Sequence, residues 1–133
     1  MKIYRISENM TLYHASPKDN IVDFHSYSHF GTLEQAEGRV LSLVYDAEAI
    51  DEVISPVIYV VNIFVENTKT VNDVGDDSWG IEIRRAEEEG YDSLRYLNTE
   101  EGDGYSYVIF DHQNIRIIDK IVPDTNGLNH ENI

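Results

Sequence analysis

The stretch PVIYVVNIFVENTKTV (Pro56–Val71) reads as the strongest strand in the chain. Val57, Tyr59, Val61, Ile63 and Val65 fall on one face at the two-residue period of a strand, and Ile58, Val60 and Phe64 populate the other. β-branched and aromatic residues suit a pleated surface, and apolar positions on both faces predict a central strand covered on both sides.

Shorter strands are expected around it. Upstream, MKIYRIS (1–7) and TLYHAS (11–16) alternate, and the second runs into SPKDN, whose Pro and Asn favour a turn; His14 then shares a face with Leu12. Downstream, DSLRYLN (92–98) and YSYVIFD (105–111) flank the acidic, Gly-containing TEEGDG (99–104) as a hairpin with a long connection, and NIRIIDKIV (114–122) follows as a last strand. Two helices interrupt the strands. Thr32-Leu33-Glu34-Gln35 has the capping-box pattern, and Leu33, Ala36, Val40, Leu41 and Val44 follow at helical spacing, so a helix starts at Leu33. Asp77-Ser78 is the candidate cap of a second helix with Trp79, Ile83 and Ala86 inward, ended by Gly90. Strands, helices, then hairpin-connected strands argue for an α+β domain with mainly antiparallel sheet. No strand leads through a Gly-rich turn into a helix, which excludes dinucleotide-fold and P-loop phosphate cradles.

At 133 residues the chain has room for one core, expected over 1–122, with 123–133 as a polar tail. Apolar residues at 41% place the formal charge of −15 on a folded surface rather than a disordered one. Ten bases against 25 acids disfavour direct nucleic-acid binding and suit a basic partner surface. The absence of cysteine excludes disulfides, thiolate metal sites and a cysteine nucleophile. No apolar run has signal-peptide or membrane-span length, so a cytosolic, membrane-free location is expected. His25 and His29 have no helical context that would aim both at a metal, HExxH is missing, and no G-x-S-x-G turn offers a serine nucleophile.

Four segments in order, LYHAS, SHFGTLEQA, VIYVVNIFVENTKTVND and GYDSLRYLN…GYSYVIFDHQNIRII, resemble the successive blocks of ADP-ribosyltransferase-fold domains. The nearest likeness is to small phage and mobile-element versions, and beyond them to poly(ADP-ribose) polymerase catalytic cores. The resemblance spans Leu12 to about Ile118 and implies two mainly antiparallel sheets around an NAD cleft, with ADP-ribose transferred to a macromolecular acceptor such as a host protein. His14 falls at the first-strand position that hydrogen-bonds a ribose hydroxyl of NAD in the His-Tyr-Glu branch. His29 falls where that branch has the aromatic that stacks on nicotinamide, and Tyr27 and Tyr45 are candidates for the missing ring. Ala15, Ser16 and Phe30 adjoin these positions as further cofactor contacts. The family's glutamate is replaced by Ser106. Acidic candidates for its role are Glu100, Glu101 and Asp103 in the preceding loop, and Asp111, which strand alternation places on the face opposite Ser106. That acid stabilises positive charge on the ribose as the glycosidic bond breaks, and losing such a group slows catalysis by about 10²–10³.

Two bland readings stand beside these. His14 next to Leu12 also fits a hydrogen-bonded core histidine, and Ser106 an ordinary strand residue. A different class of function, a non-catalytic acidic protein that occupies a basic partner site or mimics nucleic acid, is consistent with the charge.

Overall fold

A computed structural model describes residues 8–74, 78–98 and 104–123. The predicted strand 1–7, the Asp77 cap, the connection 99–103 and the tail from 124 lie outside the described residues. The described elements are β1 (Glu8–Ser16), β2 (Ser28–Phe30), α1 (Leu33–Ala49), β3 (Val57–Val65), β4 (Thr68–Val71), α2 (Trp79–Glu88), β5 (Ser93–Leu97), β6 (Tyr105–Ile109) and β7 (Ile115–Ile121).

They form two sheets, β1-β3-β7 and β2-β6-β5-β4, in a mixed α+β architecture. All pairs are antiparallel except β4 with β5. β3 is the central strand of the first sheet, as its sequence predicts. Its Val57, Tyr59, Val61, Ile63 and Val65 are buried between the sheets with Leu12, Phe24, Phe30 and Ile109. The opposite face is covered over only half its length. Ile58 packs under Ala36 and Val40 of α1, whereas Phe64 lies beyond the helix and is exposed. α2 covers the outer face of the second sheet, with Ala86, Trp79 and Ile83 against Leu94, Tyr96, Val108 and Phe110. Each helix thus shields one sheet, and the main core lies between the sheets.

Pro56–Val71 is not one strand. It breaks at Glu66–Asn67, where both backbone N–H groups donate to the Asp92 carboxylate at 2.7 and 3.1 Å, and the chain crosses into the second sheet as β4. An acceptor that satisfies two consecutive amides replaces the ladder bonds that would have carried the strand on.

α1 starts at Leu33 with both halves of the capping box formed. Its core side is Gln35, Ala36, Val40 and Ala47, while Leu33 and Leu41, expected inward, are about 40% exposed. α2 begins at Ser78, whose side chain makes no capping bond. It ends as the sequence implies: Gly90 at φ +90° donates to Glu87 O and Tyr91 donates to Ala86 O, the paired bonds of a Schellman close. Among the described residues no helix is long and apolar enough to cross a membrane.

Candidate functional site

Among the described residues, one backbone bridge joins the two packed sheets. Tyr13 of β1 and Gly31, just after β2, exchange backbone hydrogen bonds of 2.9 Å in both directions. This crossing draws the end of β1, the turn from β2 into α1, and the connection end of the β5–β6 hairpin around a cleft of about 280 Å³. That is just below the usual range for ligand sites, of order 300–1,000 Å³, and suits a nucleoside-sized group.

His14 forms one wall. Its Nδ1 lies 2.7 Å from the His29 carbonyl oxygen. A carbonyl only accepts, so Nδ1 carries the proton and, in the neutral ring, Nε2 is left as an acceptor. Burial holds the His14 pKa below the ordinary histidine value, the His29 carbonyl opposes that shift, and the Arg39 guanidinium adds to it. The neutral tautomer is therefore fixed near pH 7. Ring packing fixes its orientation: Phe24 meets His14 edge-on at 4.9 Å and Phe30 lies at 5.6 Å. Phe24 is delivered by the loop after β1, which Tyr59 pins by donating to Lys18 O and accepting from Ile21 N. Ala15 and Ser16 continue the same wall. Both are buried, and Ser16 Oγ accepts from Lys18 N.

His29 projects from the other face of β2 into an aromatic group. Its Nδ1 is 2.9 Å from Tyr96 Oη, and its ring stands edge-on to Trp79 and Tyr96, whose rings lie 4.5 Å apart. His29, Phe30 and Tyr96 all line the cleft.

The floor is a polar network centred on Gln35. Oε1 accepts from Thr32 N at 3.1 Å and Ser106 Oγ at 2.8 Å. Nε2 donates to Gly104 O at 2.9 Å and Asn98 O at 3.2 Å. Asn98 Nδ2 in turn donates to Ser106 Oγ. Gln35, Asn98 and Ser106 are all buried. One side chain thus serves as the capping-box partner of α1 and as the clasp between the two ends of the hairpin connection. Gly31 leaves room for it, since a Cβ there would fall on Gln35 Oε1 and push that side chain out of these bonds.

Of the residues singled out in the sequence, His14, Ala15, Ser16, His29, Phe30 and Ser106 converge on this cleft from three separated segments. Tyr27, Tyr45 and Asp111 do not line it. Tyr27 sits at φ +67°, with its hydroxyl donating to the Glu87 carboxylate, which raises the phenol pKa, and its ring against Phe110. Tyr45 is on the exposed side of α1. Asp111 Oδ1 accepts from Gln113 N to cap a short 3-10 turn. Glu100, Glu101 and Asp103 lie outside the described residues. The other cleft residues were missed, among them the polar Gln35, Arg39, Tyr96 and Asn98. Arg39 left a local signal, being one turn beyond Gln35 on the same flank of the helix.

No family model, curated protein or solved structure matches this chain.

The donor set is compatible with a nicotinamide nucleotide. A neutral imidazole offers an acceptor for a hydroxyl, flat rings line one side, and a guanidinium stands at the rim. Among the described residues lining the cleft there is no Asp or Glu. Ser106 Oγ already donates to one neighbour and accepts from another, so it brings no charge and little spare bonding capacity to a ligand.

Proposed function

We propose that the cleft binds NAD and that the chain is an ADP-ribosyltransferase-like domain directed at a macromolecular acceptor. The observation that carries this reading is convergence: His14, His29 and Ser106, which hold three successive positions of the family resemblance, line one cleft although up to 92 residues separate them. Bound NAD supplies a ribose whose bond to nicotinamide is activated for transfer. In this reading His14 Nε2 accepts a hydrogen bond from a ribose hydroxyl, held in place because Nδ1 is committed to the His29 carbonyl. Either the His29 or the Tyr96 ring, which stand edge-on to each other, gives a face against which nicotinamide packs. The electrostatic support for positive charge on the ribose falls to Glu100, Glu101 or Asp103, the sequence candidates between Asn98 and Gly104.

A second reading, binding without transfer, is favoured by a specific observation. The family's glutamate position is Ser106, which is buried and tied to Gln35 and Asn98. On that reading the acidic chain acts by occupying a basic partner surface.

Titration calorimetry with NAD, followed by incubation with labelled NAD and acceptor extract, separates the readings. The transferase reading expects heat of binding that His14→Ala abolishes, and label on macromolecules that Glu101→Gln or Asp103→Asn reduces. Binding without label selects the second reading. No binding of NAD by the intact chain refutes the transferase reading and leaves an acidic protein that occupies a basic partner surface.

A further inference from the structure

A second hollow lies on the outer face of the first sheet. α1 packs mainly on β1 and β3, and the strip of sheet between the helix and the edge strand β7 forms an apolar groove of about 410 Å³, larger than the cleft beside His14. Ile58, paired with Ile121 of β7, is its floor, and Leu33 and Leu41 of α1 are its wall. The two leucines that periodicity aims inward therefore end in this groove, 39% and 42% exposed, with Ile121 at 37% beside them. Exposed apolar side chains gathered in one groove, rather than scattered singly, mark an interaction site.

The charge around the groove has one sign. Glu37 lines it, Glu34 is exposed one turn earlier on α1, and Asp119, paired with Val60, is exposed on the same face of the sheet. Arg39, the one base of α1, lines the His14 cleft instead. Among the described residues the groove lining holds no Lys or Arg. The sequence beyond Pro123, DTNGLNHENI, has two acids and no Lys or Arg to offer. Lys2 and Arg5 precede Glu8, whose partner Val65 is at the end of β3 farthest from Ile58.

We infer that this groove docks a cationic, amphipathic segment of a partner protein, with its apolar side chains on Leu33, Leu41 and Ile121 and its Lys or Arg side chains against Glu34, Glu37 and Asp119. The inference rests on the reading that the chain engages a macromolecule, whether as acceptor or as basic partner, and names the face that does so; it does not depend on NAD. An amphipathic segment laid in an apolar groove is a recurring mode of peptide recognition, and acids on both banks select which segments enter. The same helix lines both hollows, Gln35 and Ala36 at one and Leu33, Glu37 and Leu41 at the other, so a partner seated here is held beside the cleft.

The test is fluorescence anisotropy on the full chain with three labelled peptides: an amphipathic helix of Leu and Lys, a scrambled peptide of the same composition, and an amphipathic helix of Leu and Glu. The first should bind and the other two should bind at least about tenfold more weakly. Leu41→Ser should weaken the first about threefold to tenfold, and Leu41→Ser with Ile121→Ser by more. Glu37→Gln, an exposed change that leaves the packing intact, should weaken it about twofold to threefold and flatten its salt dependence. Ile81→Ser, an exposed apolar position on α2, should leave it unchanged, and NAD calorimetry on the same variants should match wild type whether or not NAD binds. Equal binding of the scrambled peptide, or no effect of the groove variants, would reduce the attraction to diffuse charge and overturn the inference. Tighter peptide binding in Leu128→Ser or Ile3→Ser would put an end of the chain itself in the groove, and a dimer by sedimentation that Leu41→Ser dissolves would put a second copy there; either result overturns it too.

Discussion

Replacing Gln35 tests whether one side chain ties the cleft together. In Gln35→Leu, the shape is roughly kept but at least four hydrogen bonds to described residues are lost. Two of the four partners retain another bond: Ser106 Oγ still accepts from Asn98 Nδ2, and Gly104 O still accepts from Asn98 N. Thr32 N loses the capping-box acceptor, an effect of about 1 kcal/mol, and the carbonyl of Asn98 loses a donor in a buried setting, about 1–3 kcal/mol. The expected destabilisation is therefore about 2–4 kcal/mol. For a chain of this size it corresponds to a fall in melting temperature of about 6–16 °C by circular dichroism.

Gln35→Glu is the sharper variant. Its carboxylate can still accept from Thr32 N and Ser106 Oγ but faces the Asn98 and Gly104 carbonyls with no proton to donate. Burial and that repulsion raise the folded pKa of the introduced acid above its unfolded value of about 4.3. The stabilisation from its protonated form is thus fully present below that value and lost as pH rises through the raised folded pKa. The melting deficit of Gln35→Glu relative to wild type should be largest near pH 8 and shrink toward pH 5.5, whereas that of Gln35→Leu should stay constant. A Gln35→Leu protein within 2 °C of wild type, or a pH-independent deficit for Gln35→Glu, would show that the four bonds do not hold the site.

Three further expectations follow from single groups. His14 has a lowered folded pKa, so its contribution to stability is full above about pH 6.5 and lost as pH falls below it toward the depressed value; His14→Asn should show a shallower decline in melting temperature between pH 7 and 5.5 than wild type. Asp92→Ala removes the acceptor for Glu66 N, Asn67 N and Ser93 Oγ and should destabilise by about 2–3 kcal/mol in urea unfolding, with Asp92→Asn intermediate. Gly90→Ala meets no atom within 4 Å but must hold φ +90°, so it should lower stability by about 1–2 kcal/mol through backbone strain alone.

Sequence periodicity was informative wherever an element is stabilised by its neighbours in the chain. α1 is framed by Thr32 and Gln35, three residues apart, and α2 closes on Gly90, so both ends could be read locally. The same logic misplaced the end of β3. Nothing between Val57 and Val71 signals the break at Glu66; the cause is Asp92, whose carboxylate arrives from the far side of α2 to take both amides. The cleft divides along the same line. His14 and His29 stand in short motifs, whereas Tyr96 and Asn98 matter only because hairpin and strand crossing bring them to one place.

Gln35 shows both halves at once, since its bond to Thr32 spans three residues and those to Asn98, Gly104 and Ser106 span 63 to 71. A residue chosen to start a helix is thereby also the one that orders the hairpin end where the proposed catalytic acid must be supplied. Helix initiation and assembly of the cleft are consequently coupled, and a substitution that frays the first turn of α1 should loosen ligand binding even though it touches no ligand.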